Sequence, residues 1–265
     1  LKRFLIGRSE CVCIVNFEIA EVIFSLWTQM KPLLKYRIFP HKLQSFVLLF
    51  VFFCLGCEKE FIESPDTIGK SIALTFDDGP DPIYTEEILD VLKSKGVKAT
   101  FFLVGKKIEQ NPLVAERIFE EGHCLANHTY THINLKKKSF KEAYSEIQQT
   151  EQLLVNICGK SPKLFRPPWG HITSSERVTL EKYGYKIVLW DVNSRDYMPK
   201  ITVNEIVTNV MRNIGGNKIV LFHDSDYQGK ASRQNTVLAL PEIIDFLKAS
   251  GYNFVTINQL NDISK

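Results

Sequence analysis

From residue 71 onward, short and continuously apolar runs alternate with longer amphipathic segments, and most junctions carry a helix start or stop signal. That rhythm restricts the chain to a small set of layered α/β folds. Ser71–Phe76 (SIALTF) predicts a buried strand, followed by a turn and a helix over about Thr85–Ser94 that stops at Gly96. Ala99–Val104 (ATFFLV) is the second strand, Pro112–Glu121 a helix closed by Gly122, and His123–Ala126 a third strand. Ser139 and Glu142 have the spacing of a capping box, opening a helix to about Ile157 with Ala143, Tyr144, Ile147 and Leu154 on one face. A fourth strand ends at Phe165-Arg166, Thr173 and Glu176 cap the next helix, and Lys186–Trp190 is strand five. Thr202 and Glu205 cap a helix that halts at Gly215-Gly216. Lys218–Phe222 and Phe254–Ile257 are strands six and seven, with a helix over about Pro241–Ala249 between them.

Seven strands alternating with helices predict one parallel α/β domain over residues 71–265, either a barrel or a doubly wound sheet. In both, ligands meet the carboxyl ends of the strands. A chain of 265 residues that is 45% hydrophobic and 24% charged buries a real core, which excludes disorder and a disulfide-framework miniprotein. With 33 Lys+Arg against 30 Asp+Glu, the net charge of +3 asks for no nucleic-acid partner, and a monomer is expected.

Residues before 71 read differently. Residues 1–29 hold no motif and are expected to be upstream sequence read through to Met30. A basic stretch containing Lys31, Lys35 and Arg37 precedes the apolar run Phe46–Leu55 (FVLLFVFFCL), which ends in Gly56-Cys57. A basic region, a short apolar run and a small residue predict a secretory signal over 30–57. The run is about half the ~20 residues of a membrane-spanning helix. Leu55-Gly56-Cys57 resembles a bacterial lipobox, with Cys54 where Leu is usual, so Cys57 is the expected lipidation site of an exported, membrane-anchored protein. Ordinary cleavage to a soluble secreted protein is the alternative. Residues 58–70 form a polar tether. Cys124 and Cys158 are read as buried thiols, with a disulfide between them as the other possibility in an exported chain.

Unusual polar residues fall just after the strand ends. Asp77-Asp78-Gly79-Pro80 follows strand one, Asn127-His128 through His132 follows strand three, and Arg166-Pro167-Pro168-Trp169-Gly170 closes strand four. Asp196 follows strand five, and strand six runs into His223-Asp224. Singly, each has an ordinary explanation as a turn, a helix cap or a surface pair. Together they gather acids, imidazoles and a guanidinium at one end of one sheet. Two imidazoles at the spacing of His128 and His132, with one carboxylate, leave an open position on a metal ion, as in catalytic rather than structural zinc sites. Asp77 and Asp78 cannot both face inward from a regular strand, because successive side chains alternate. Before Gly79 they can diverge, one onto the ion and one onto a water; the spacing does not say which does which.

Thr75–Pro80 (TFDDGP), His128-x-x-x-His132, Arg166–Gly170 (RPPWG), Trp190 to Asp196, and Leu221-Phe222-His223 resemble, in order, the five motifs of the NodB-type polysaccharide deacetylases, carbohydrate esterase family four. The resemblance covers about residues 71–260 and implies a distorted, incomplete (β/α) barrel, in keeping with the seven strands. It implies that Asp77 is the catalytic base, that Asp78, His128 and His132 hold the metal, and that Arg166 holds the base. It makes His223 the general acid tuned by Asp196, Trp169 the source of an oxyanion amide, and Leu221 part of the lining of the acetyl pocket. Trp169 stands where Tyr is commoner, and Tyr197 stands where Trp is usual, reshaping the acetyl pocket. One divalent transition ion is expected, Zn²⁺ by ligand type, with Co²⁺ or Ni²⁺ as substitutes.

The activity so implied is removal of N-acetyl groups from N-acetylglucosamine-type units of an extracellular polysaccharide. An inactive sugar-binding module on the same fold and an O-acetyl esterase acting on xylan are the alternatives. A general acid must be protonated at working pH, yet an imidazole has an unperturbed pKa of about 6.5 and a nearby cation lowers it. Asp196 is therefore expected to raise the pKa of His223.

Overall fold

A computed structural model of the protein describes residues 70–228 and 230–260. The expected read-through at 1–29, the leader at 30–57 with Cys57, and the tether apart from Lys70 lie outside them. The strands are β1 (Ser71–Asp77), β2 (Thr100–Leu103), β3 (Cys124–Asn127), β4 (Leu164–Phe165), β5 (Lys186–Ile187), β6 (Val192–Asn193), β7 (Lys218–His223) and β8 (Asn253–Phe254). They form one sheet in the order β5-β4-β3-β2-β1-β7-β6, with β8 paired to the start of β1. Every pairing is parallel.

Strand alternation sorts the central side chains into two layers. Ile72, Leu74 and Phe76 of β1 face outward into the larger core, where Phe76 stacks on Phe101 at 5.0 Å and on Phe222 at 5.6 Å. That core is covered by α1 (Tyr84–Ser94) and α7 (Gln234–Ala249), with α6 (Val203–Met211) alongside. Ala73 faces the other way, into a smaller cluster with Phe102, Ala126, Leu164, Val188 and Ile219 from the neighbouring strands. This apolar floor fills the inside of the curled sheet, and Thr75 and Asp77, two and four residues further along β1, stand above it on the same face.

Local signals behave as their chemistry dictates. Ser139, Thr173 and Thr202 each accept from the backbone N–H three residues on, and Glu142, Glu176 and Glu205 bond back in full capping boxes. They open α4 (Phe140–Cys158), α5 (Ser174–Lys182) and α6. Between β2 and β3 the expected helix is present as α3 (Pro112–Glu120), preceded by a short α2 (Gly105–Gln110) that carries no sequence cap.

Three expectations change, and the first is that the strand expected over Phe254–Ile257 is β8, Asn253–Phe254, which shares only Phe254 with it. The helix expected over Pro241–Ala249 begins at Gln234, with Pro241 inside it. A proline mid-helix costs roughly 3 kcal/mol, but Val237, Leu240, Ile244 and Leu247 bury one continuous face and outweigh it. The strand expected over Lys186–Trp190 ends at Ile187. Val188 N–H bonds Phe165 O on β4 at 2.9 Å, whereas Asp191 N–H bonds Ile219 O on β7, also at 2.9 Å. The chain thus crosses from one edge of the sheet to the other within four residues, and β6 is an eighth strand that the sequence did not disclose. For the two edges to be so close, the sheet must curl almost into a closed barrel. Cys124 and Cys158 are free thiols, both partly buried, and burial pushes the Cys124 pKa up to about 11.

Candidate active site

The site lies at the carboxyl ends of the central strands, where Asp77 of β1 and His223 of β7 are register partners and share the inner face. Asp77 Oδ1 accepts from Arg166 Nη1 at 2.6 Å. Arg166 is fully buried, lies over the Phe102 ring at 4.0 Å, and spends its other donors on Thr75 Oγ1, Val188 O and Leu189 O. One guanidinium therefore fixes the carboxylate and ties β4 to both β1 and the closing segment. Asp77 Oδ2 has no share in that pair and stands 3.7 Å from His128 Nε2.

Asp78 takes a left-handed φ of 77°. That turn breaks strand alternation, so two successive carboxylates enter one cleft. Asp78 Oδ1 lies 3.1 Å from His132 Nε2 and 3.6 Å from His128 Nε2, and the three ligand atoms fall within 4.8 Å of one another. His128 Nδ1 donates to Arg166 O at 2.7 Å, which leaves Nε2 as the lone-pair nitrogen. Burial pushes the His128 pKa down to about 4, against the pull of Asp77, so the ring is neutral. Burial opposes ionisation of Asp78 as well, but His132, His223 and His128 hold its carboxyl well below the usual carboxylate range. Asp78 Oδ1 is nonetheless buried without a hydrogen-bond partner. An orphaned carboxylate oxygen facing two imidazole nitrogens is a donor set for a cation. Tetrahedral bonds of about 2.0–2.2 Å place such donors roughly 3.3–3.6 Å apart, so the residues fit a zinc-like ion.

Across the cleft, His223 Nδ1 donates to Asp196 Oδ1 at 2.7 Å. Asp196 Oδ2 accepts from His223 N–H at 2.8 Å and from Thr236 Oγ1 at 2.9 Å, so the carboxylate is held at both oxygens. Burial works against protonation of His223, but Asp196, then Asp78 and Asp77, push its pKa up to about 9. Between the two sides is a cleft of about 310 Å³, with Leu221 in its lining and the rings of Trp169 and Tyr197 at its walls. Trp169 takes a φ of 55° in a tight turn whose bonds run from Gly170 N–H to Pro167 O and from His171 N–H to Pro168 O, leaving its own amide out of them. Tyr197 meets His223 edge to face at 5.4 Å.

Of the candidate site residues, Asp77, Asp78, His128, His132, Trp169, Tyr197, Leu221 and His223 line this cleft, while Arg166 and Asp196 stand behind it on Asp77 and His223; Cys57 lies outside the described residues. Four contributors were missed. Thr75 was legible, since it is two residues before Asp77 on the same strand face and receives Arg166. Asp224 accepts from Gly79 N–H at 3.0 Å and from Thr85 Oγ1 at 2.6 Å, and burial pushes its carboxyl up to about 7. It clamps the turn that aims Asp78, and a Cβ on Gly79 would fall 2.0 Å from its Oδ2. Thr236 and Tyr227 carried no signal, because both reach the site from residues beyond the last motif.

The curled parallel sheet, with its carboxylates and imidazoles at one end, defines an incomplete (β/α) barrel with its site at the carboxyl ends of the strands. A profile described as "Polysaccharide deacetylase" matches residues 64–188. The chain is 38% identical over 193 residues to a peptidoglycan-N-acetylglucosamine deacetylase of Bacillus cereus, covering 72% of this chain and 88% of that one. It is 35% identical to a chitooligosaccharide deacetylase of a Bradyrhizobium species, covering 72% of this chain and 91% of that one. The crystal structure of the Bc1960 peptidoglycan N-acetylglucosamine deacetylase superposes with a TM-score of 0.69 at 39% identity, covering 72% of this chain and 87% of that one. The chain belongs to the polysaccharide deacetylase family, carbohydrate esterase family four.

Proposed function

We propose that the protein is a metal-dependent hydrolase that removes N-acetyl groups from N-acetylglucosamine-type units of a cell-envelope polysaccharide, peptidoglycan foremost. The observation that carries this reading is the opposition, across one cleft, of an Arg166-held Asp77 and an Asp196-held His223, with the Asp78–His128–His132 set between them. A sugar-binding module has no need of a carboxylate and an imidazole poised on opposite walls, and the named relatives act on N-acetylated glycans.

Asp78, His128 and His132 would hold one divalent transition ion, Zn²⁺ by the nature of the donors, with Co²⁺ or Ni²⁺ able to replace it. When bound, such an ion supplies a Lewis acid that lowers the pKa of a water and polarises the acetamide carbonyl. Asp77 accepts the proton of the attacking water at Oδ2, since Oδ1 is committed to Arg166. The amide of Trp169 donates to the developing oxyanion, a contribution worth about 2.7–4 kcal/mol per donor in comparable sites. Leu221 and Tyr197 enclose the acetyl methyl. His223, its Nδ1 engaged by Asp196, gives up the Nε2 proton to the departing amine.

The test is acetate release from chitooligosaccharides and from peptidoglycan. Release is expected from at least one of them, lost on chelation and restored by Zn²⁺. No acetate from any N- or O-acetylated glycan, with metal bound, would leave the inactive module.

Export follows from substrate access, because these polysaccharides lie outside the cytoplasm. The expected leader at 30–57 delivers the chain, Cys57 carries the lipid, and the catalytic domain over 71–265 works from the membrane face. Labelled fatty acid is expected in the wild type and not in Cys57→Ala; an unlabelled wild type would mean plain secretion.

A further inference from the structure

Tyr227 belongs to none of the five motifs, yet it lines the cleft beside the metal-ligand set. Its ring stacks on His132, with centroids 4.3 Å apart and planes 21° from parallel. Trp169 stands nearly perpendicular to both rings, 4.5 Å from His132 and 5.7 Å from Tyr227. Those three separations put Trp169 beside the stack, close to a right angle from it, and not across the far face of Tyr227. One face of the phenol ring is therefore covered by the imidazole. The residue nonetheless keeps 39% of its surface exposed, and Gln228 Nε2 donates to its phenol oxygen at 2.6 Å.

The backbone that presents this ring is held firmly. Arg233, 4% exposed, donates from Nε to Ser225 O at 2.8 Å, and Lys107 Nζ bonds both Ser225 Oγ and Asp226 O. Asp226 Oδ2 accepts from Lys230 N–H at 2.9 Å and from Ala231 N–H at 3.2 Å. A pre-positioned aromatic face at the rim of a polar-floored cleft suits the C–H face of a pyranose, which is apolar between its hydroxyls.

We propose that the face of Tyr227 turned away from His132 is a stacking subsite for a sugar of the substrate chain, other than the one being deacetylated. The Tyr227 ring stands between that face and His132, so a pyranose stacked there is one place along the polymer from the acetamide that meets Asp77. Tyr227 is then a specificity-determining residue that favours longer glycans. The inference rests on the deacetylase reading for the identity of the polymer.

The experiment measures acetate release from N-acetylglucosamine oligomers of two to five units by wild type, Tyr227→Ala and Tyr227→Trp, with metal content determined for each. The wild-type kcat/KM is expected to rise with length. Tyr227→Ala should flatten that rise, losing about three- to tenfold on the pentamer through KM, with kcat and metal unchanged, and Tyr227→Trp should restore it. An equal loss at every length, or a loss of metal, would overturn the proposal and leave Tyr227 as a support for His132. Should the wild type release no acetate at all, the deacetylase reading falls by itself. Calorimetry with the fully deacetylated pentamer then decides the subsite: weaker binding to Tyr227→Ala supports it, and equal binding overturns it.

Discussion

Burial ordinarily makes an imidazole give up its proton more readily, and His223 is an exception because Asp196 grips its Nδ1 at 2.7 Å. In the proposed mechanism His223 is the general acid, which works only while protonated, so activity should fall as pH rises through its pKa. A pKa pushed up to about 9 places that alkaline limb well above the ordinary imidazole value; a bound cation would draw it partly back. Asp196→Asn keeps an acceptor for Nδ1 but removes the charge. The limb should then move to lower pH by about 1–3 units, with metal content unchanged. His223→Ala should lower kcat by about 10²–10⁴. A pH–rate profile of the Asn variant that overlays the wild type would remove Asp196 from the tuning role. The pairing of these two residues was legible in the order of the motifs. The division of labour between Asp77 and Asp78 came from the family resemblance and not from their spacing, because it depends on a left-handed turn at Asp78, a conformation that Asp adopts in few settings.

At the level of elements, Arg166 is the residue on which the site and the barrel both depend. Its guanidinium reaches Asp77 and Thr75 on β1 and the carbonyls of Val188 and Leu189, where the chain leaves one sheet edge for the other. Arg166→Met preserves bulk but leaves a buried carboxylate alone, a change that costs about 3–5 kcal/mol. The melting temperature should drop by roughly 10 °C, and Asp77→Asn added to it should recover part of the loss. A single variant that melts within about 2 °C of wild type would mean that Asp77 finds other solvation. Helix starts such as Ser139 and Thr202 were readable because a capping box is completed within four residues of chain. The bounds of strand five and of the last helix were not. Whether residues 188–191 bond to β4 or β7, and whether Pro241 is tolerated, is settled by neighbours distant in sequence.

At the scale of the whole molecule, the cation set joins residues from two strand ends on either side of β2, so binding an ion should stabilise the fold as well as activate it. At a free Zn²⁺ concentration of about 100 times Kd, linkage adds about 2.7 kcal/mol, or roughly 5–10 °C in melting temperature for a domain of this size. Thermal melts against Zn²⁺ should show that rise in wild type and its loss in His132→Ala and Asp78→Asn. An equal rise in all three would place the ion elsewhere. The amino-acid sequence by itself determined the alternation of strands and helices, the capped helix starts, and the collection of acids and imidazoles at strand ends. Those properties arise from side-chain periodicity and from hydrogen bonds between residues a few positions apart. Only the tertiary structure decided that the sheet curls until its edges β5 and β6 lie within one short segment, and only it supplied the left-handed turn that sends Asp78 toward the imidazoles and Asp77 toward Arg166. It also decided that Asp224 clamps Gly79 and that Tyr227 stacks on His132. Each of these is a contact between segments far apart along the chain, and such contacts take their energy from burial and pairing that exist only once the sheet has closed.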